Sequence, residues 1–146
     1  MLPFKNLFIL LNLIKLTFQL SNGAPESVCD TLLPFHGGGI PPQPLASSPF
    51  TIHPLSPVVG QGQIVRLEIE SDIPNLAFKG FMIHARTVNA PYRVLGRFAS
   101  SADGSIKLIN CQGTENTATH SNTNLKVEFG LDWQAPTDYI GDVIFK

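Results

Sequence analysis

The chain has 146 residues, of which 43% are hydrophobic, 9% aromatic and 14% charged, with a formal net charge of −1. That length fits one domain with an ample apolar core, and the composition matches neither a disordered segment nor a coiled coil. Without a basic excess there is no electrostatic footprint for a nucleic acid, so no nucleic-acid partner is expected.

In chain order, residues 1–23 read as a secretory signal peptide. Lys5 precedes an apolar run from Leu7 to Leu20, and the small residues Ser21 and Gly23 follow. Positive start, apolar centre and small residues at the cut are the order such a leader requires. Cleavage is expected after Gly23, because Pro25 would hinder a cut at Ala24. Asn12 and Lys15 interrupt the run and leave it short of the roughly 20 apolar residues of a membrane span. The mature chain, residues 24–146, keeps 8 of the 10 basic residues and all 11 acidic ones, a net charge of −3. No membrane span and no attraction to anionic membranes are expected of it.

Cys29 and Cys111 are the two cysteines. In an exported chain an even count reads as one disulfide, and two cysteines allow one intramolecular connectivity. Residues 34–50, PFHGGGIPPQPLASSPF, hold five prolines and three consecutive glycines, so neither a helix nor a central strand runs through them. Phe50 to His53 fits a short strand. In Gly60 to Asp72, Val65, Leu67 and Ile69 alternate with Arg66, Glu68 and Glu70, the pattern of a strand with one buried face.

Residues 78–86, FKGFMIHAR, crowd aromatic, cationic and imidazole side chains into one strand. Alternation places Phe81, Ile83 and Ala85 on the core face, with Met82, His84 and Arg86 outside or under a covering loop. Tyr92 to Ala99 and Ile106 to Cys111 are further half-buried strands, with ADGS at 102–105 as a hairpin turn between them. Over 125–133, LKVEFGLDW, the pattern places Leu125, Val127, Phe129, Leu131 and Trp133 on one face, with Trp133 mostly buried. Tyr139 to Phe145 closes the series. Some seven short strands without a sustained helical period predict an all-β, single-domain antiparallel sandwich, with a small barrel as the competing arrangement.

No pattern for catalysis or metal binding emerges. His36, His53, His84 and His120 lie far apart in sequence, and HExxH, GxSxG and Cys/His nucleophile signatures are missing. The chain is therefore read as a non-enzyme without cofactor or metal. If it binds a ligand, the candidate contacts are His36, Gly37, Gly38 and Gly39 in the 36–44 loop, together with His84 and Arg86. In the loop, prolines limit the entropy lost on binding while glycines let backbone groups approach a ligand. Arg86, Arg93 and Arg97 are the local cations available to an acidic surface.

GAPESVCDTLLPFHG, PQPLASSPF, FKGFMIHAR, the Asn110–Cys111 pair, THS at 119–121 and FGLDWQAPTDYIGDVIF stand in the order seen in Reeler, or reelin, domains. The mature chain resembles this family over essentially its whole length, and most resembles the small secreted, noduler-like insect defence proteins. Leu33 departs from the methionine frequent in the family, and HGGGI adds glycines. The resemblance implies an immunoglobulin-like sandwich, a Cys29–Cys111 pair and secretion to the extracellular space. It also implies an innate-immune role, through recognition of microbial cell-wall components or of the haemocyte surface. In the alternative it implies, the chain is the exported N-terminal Reeler module of a larger adhesion or matrix protein, or of a ferric-reductase-like membrane protein. The C-terminal strand is expected to be cut short at Lys146.

Overall fold

The computed structural model describes residues 22–33 and 40–146. Nine strands form two antiparallel sheets packed face to face, and no α-helix occurs among the described residues. The first sheet has the order β1(Phe50–Pro54), β2(Ile64–Ser71), β8(Phe129–Gln134), β5(Arg97–Phe98). The second runs β4(Val94–Leu95), β3(Met82–Thr87), β7(Thr117–His120), β6(Ile106–Ile109), and β9(Val143–Phe145) also pairs with β3. The expected 1–23 leader falls almost wholly outside the described residues.

Between the sheets lie Val65, Leu67 and Ile69 of β2, Leu131 and Trp133 of β8, Ile83 and Ala85 of β3, and Ala118 of β7. These are the positions the period of two places inward. Trp133 is 1% exposed and packs edge-on to Phe145, with ring centroids 5.0 Å apart. Its indole N–H donates to the Leu95 carbonyl at 3.1 Å, so the polar end of a buried aromatic is satisfied.

The expected continuous strand from Tyr92 to Ala99 is two short strands in different sheets. Gly96, at φ +65°, turns the chain from one sheet to the other, and a Cβ there would overlap the Gln134 carbonyl and the Trp133 indole. The strand expected over 125–133 begins only at Phe129. Leu125 and Val127 are 70% and 48% exposed, whereas Lys126 is 8% exposed. Its ammonium donates to the carbonyls of Asn124 at 2.8 Å, Lys79 at 3.1 Å and Asn122 at 3.3 Å. With three acceptors in place, the buried ammonium is compensated, and the chain inverts its apolar alternation for four residues. Desolvation lowers the Lys126 pKa from its ordinary value.

Strand β7, TATH, was not anticipated, because two threonines and a histidine do not alternate in polarity. Thr117 and Thr119 are nonetheless buried on the outer face of the second sheet, where Thr119 Oγ1 donates to the Phe81 carbonyl at 2.7 Å and accepts from the Ala24 N–H at 3.0 Å. The segment from Asn22 to Leu33 therefore covers this face. Gly80 is required by β7 as well, since the His120 imidazole occupies the space of a Cβ.

Two stability effects are expected. Trp133→Ala should lower unfolding free energy by about 3–5 kcal/mol in chemical denaturation, and a loss below about 1 kcal/mol would contradict its place between the sheets. Cys29 and Cys111 are bonded, closing a loop with a sequence separation of 82. Loop-closure entropy gives that link up to about 4.5 kcal/mol, so Cys111→Ala should melt at a markedly lower temperature.

Candidate functional site

Residues directly opposed across a sheet share a face. Since His84 opposes Thr117, and Met82 opposes Thr119, β3 presents Met82, His84 and Arg86 to the outer face of the second sheet. The covering segment reaches that face through a 3₁₀ turn at Glu26–Val28, whose Val28 is buried, and is fixed there by Cys29. Glu26 adds a carboxylate contact to the Asn110 N–H at 3.2 Å. Cys111 is held in turn by Asn116, whose buried amide accepts from the Cys111 N–H at 2.8 Å and donates to its carbonyl at 2.6 Å. The neighbouring Gln112 and Glu115 have φ of 72° and 53°, so this tight loop is shaped around the disulfide.

A cavity of about 280 Å³ opens between the disulfide and β3. His84 and Arg86 line it, with Asp30, Tyr92, Gln112 and Lys146 around them. His84 is 5% exposed, and its Nδ1 has no hydrogen-bond partner, nor has the buried Nε of Arg86. The Arg86 guanidinium sits 3.9 Å over the Tyr92 ring. Such stacking holds a guanidinium plane while leaving its edge to bind. Arg86, Lys146 and Asp30 make no ion pair among the described residues.

Burial first, and then the charges of Arg86 and Lys146, lower the His84 pKa from 6.5 to about 4. The imidazole is therefore neutral at physiological pH. The two atoms, His84 Nδ1 and Arg86 Nε, are sealed from solvent, and among the described residues they are the buried side-chain polar atoms left unpaired.

The sequence brought His84 and Arg86 forward, and the structure brings them together. It does not gather the other cations. Arg93 faces Asp138 at 3.9 Å and the Tyr139 ring at 5.4 Å, while Arg97 donates to Gln134 at 2.8 Å. His36, Gly37, Gly38 and Gly39 lie outside the described residues. Tyr92, Gln112, Asp30 and Lys146 were not anticipated. Tyr92 was within reach of a sequence argument, because the β3–β4 hairpin pairs Arg86 with Val94 and so returns Tyr92 beside it.

One constellation resembles a hydrolase triad in composition. Thr51 Oγ1 lies 2.7 Å and Glu70 Oε1 3.3 Å from His53, but both address the same Nε2. A relay needs the nucleophile and the orienting acid on opposite ring nitrogens. No group of three His, Cys, Asp or Glu able to hold a metal occurs among the described residues. The geometry is that of a small open cavity lined by both polar and apolar groups.

An all-β sandwich with a disulfide-anchored N-terminal cover defines a class of small disulfide-braced domain. The Reeler domain family model matches residues 27–146, and the chain belongs to that family. It is 45% identical over 128 residues to the "Putative ferric-chelate reductase 1 homolog" of Drosophila melanogaster, covering 87% of this chain and 20% of that protein. With the "Putative defense protein 3" of Antheraea mylitta it shares 32% identity over 132 residues, covering 90% of this chain and 77% of the relative. The chain thus spans one fifth of the reductase homologue and about three quarters of the defence protein. Among solved structures, the human F-spondin reeler domain superposes with a TM-score of 0.57 at 21% identity, covering 68% of this chain and 73% of that one, a likeness of fold.

The pH response of His84 is open to measurement. Its folded-state pKa lies below the ordinary value, so the unfolded chain takes up the proton first as pH falls. The contribution of the neutral His84 imidazole is complete above about pH 6.5 and is lost as pH falls toward about 4. Denaturation of wild type and His84→Asn across that window should show wild type losing up to about 3 kcal/mol more than the variant. Parallel curves would contradict the burial of a neutral imidazole.

Proposed function

We propose that this chain is an exported, non-catalytic defence protein that recognises microbial surfaces or haemocytes through the cavity beside the disulfide. The observation that carries the reading is an open concavity lined by Asp30, Arg86, Tyr92, Gln112 and Lys146, without a nucleophile and base in working geometry. Relatives named as defence proteins in insects support the setting. So does the disulfide, which persists in oxidising compartments. Among the described residues no helix is long and apolar enough to cross a membrane.

A second reading is favoured by the 45% identity to the ferric-chelate reductase homologue, which exceeds the 32% shared with the defence protein. In that setting the domain is the exported leading module of a membrane reductase and serves adhesion or positioning. Sequencing the transcript separates the two, because hundreds of codons beyond Lys146 would assign the chain to the module.

The defence reading is tested by incubating the secreted protein with bacterial walls, fungal walls and haemocytes, then measuring retention. Saturable retention on at least one material, reduced in Arg86→Gln, is the expected result. No retention on any of them would overturn recognition as the function.

A further inference from the structure

We infer that the leader is cut ahead of Asn22, with Ser21 as the small residue before the cut, so that Asn22 and Gly23 stay in the exported protein as an anchor on β6 and β7. The inference rests on the export reading above, and it departs from the cut after Gly23 that the leader pattern by itself favours.

Contacts made by three consecutive residues carry it. The Asn22 carbonyl accepts from the Lys107 ammonium of β6 at 3.2 Å, and the Ala24 N–H donates to Thr119 Oγ1 of β7 at 3.0 Å. Between them Gly23 is buried, at φ +82°. A side chain there would overlap the His120 carbonyl and the Thr119 methyl, and would also meet the Lys107 stem. A left-handed residue seated against a neighbouring carbonyl is a place for glycine, which has no Cβ to clash. Selection on a leader acts on its positive start, its apolar run and the small residues at the cut. None of these asks for a buried left-handed glycine fitted to a β-strand. A glycine so fitted serves a chain that keeps it.

Solvation points the same way. A cut after Gly23 would turn the Ala24 amide into an ammonium at a half-buried position, where lost hydration is costly. Glu26, the next acid along the segment, is already engaged with the Asn110 N–H at 3.2 Å. The same cut would remove the carbonyl that the Lys107 ammonium binds. With the cut ahead of Asn22, the new terminus falls on an exposed residue and stays in water, while both hydrogen bonds and the seat of Gly23 survive. Ser21 is the small residue that remains to precede such a cut. The retained pair then holds the covering segment on the second sheet by hydrogen bonds, upstream of the covalent hold at Cys29.

The test expresses the full chain with its own leader in a secreting cell line and measures intact mass and melting temperature of the protein in the medium. The expected N-terminal residue is Asn22. A protein that begins at Ala24 overturns the inference and leaves export standing. A chain that still begins at Met1, or never reaches the medium, overturns the inference and the export reading together. Gly23→Ala gives an independent answer. If Gly23 is discarded, the substitution leaves with the leader, and the secreted variant matches wild type in mass and melting, which overturns the inference. If Gly23 is retained, the variant is heavier by one methylene and should melt about 4 °C or more lower. Loss of this variant from the medium also supports retention, since alanine before a cut suits the peptidase as well as glycine does. A third protein, with residues 1–23 replaced by a leader cut immediately before Ala24, should melt below wild type by a similar margin. Equal melting would overturn the anchor.

Discussion

Trp133 is the contact through which the two sheets depend on each other. It belongs to β8 in the first sheet, yet its indole N–H ends on Leu95 in β4 and its ring edge meets Phe145 in β9, both in the second. The chain can pass from β4 to β5 beneath that ring only because Gly96 has no side chain. A buried aromatic with one polar atom fixes orientation as well as burial, since turning the ring would leave the N–H unpaired. Sheet spacing, the crossover at Gly96 and the seating of β9 on β3 all follow from this placement.

β3 is held on its inner face by that core and is thereby free to use its outer face for chemistry. His84 and Arg86 project away from the apolar layer at positions set by register rather than by a loop. A rigid strand carrying binding groups loses little entropy when a ligand arrives. The covering segment contributes the opposite wall, and it is tied down covalently instead of by a large apolar contact. The result is a small chamber between a strand and a staple, lined by both polar and apolar groups.

Much of the architecture was legible because period-two alternation in 64–69 and 129–133 reports burial directly. It failed where polar groups found partners inside the protein. Lys126 is buried because three carbonyls receive its ammonium, and Thr119 of β7 is buried because its hydroxyl bonds to the Phe81 carbonyl beside β3. Neither circumstance leaves a trace in local polarity. FKGFMIHAR signalled its inward residues and its covered outward ones, but the site also draws on Asp30 and Lys146, which are 116 positions apart in the chain. Such a meeting is a product of topology, since β9 returns to β3 and the N-terminal segment crosses to β6. No pattern within a single strand encodes it.

The staple gives the chamber a history. One wall is the covering segment held by Cys29, so joining the two sulfurs fixes the shape of the cavity. By thermodynamic reciprocity, whatever occupies the chamber must also favour the joined sulfurs over the separated ones. Oxidation thereby acts as a maturation step for the site as much as a reinforcement of the fold, and an occupied domain should hold its covering segment through reducing conditions that release it from an empty one.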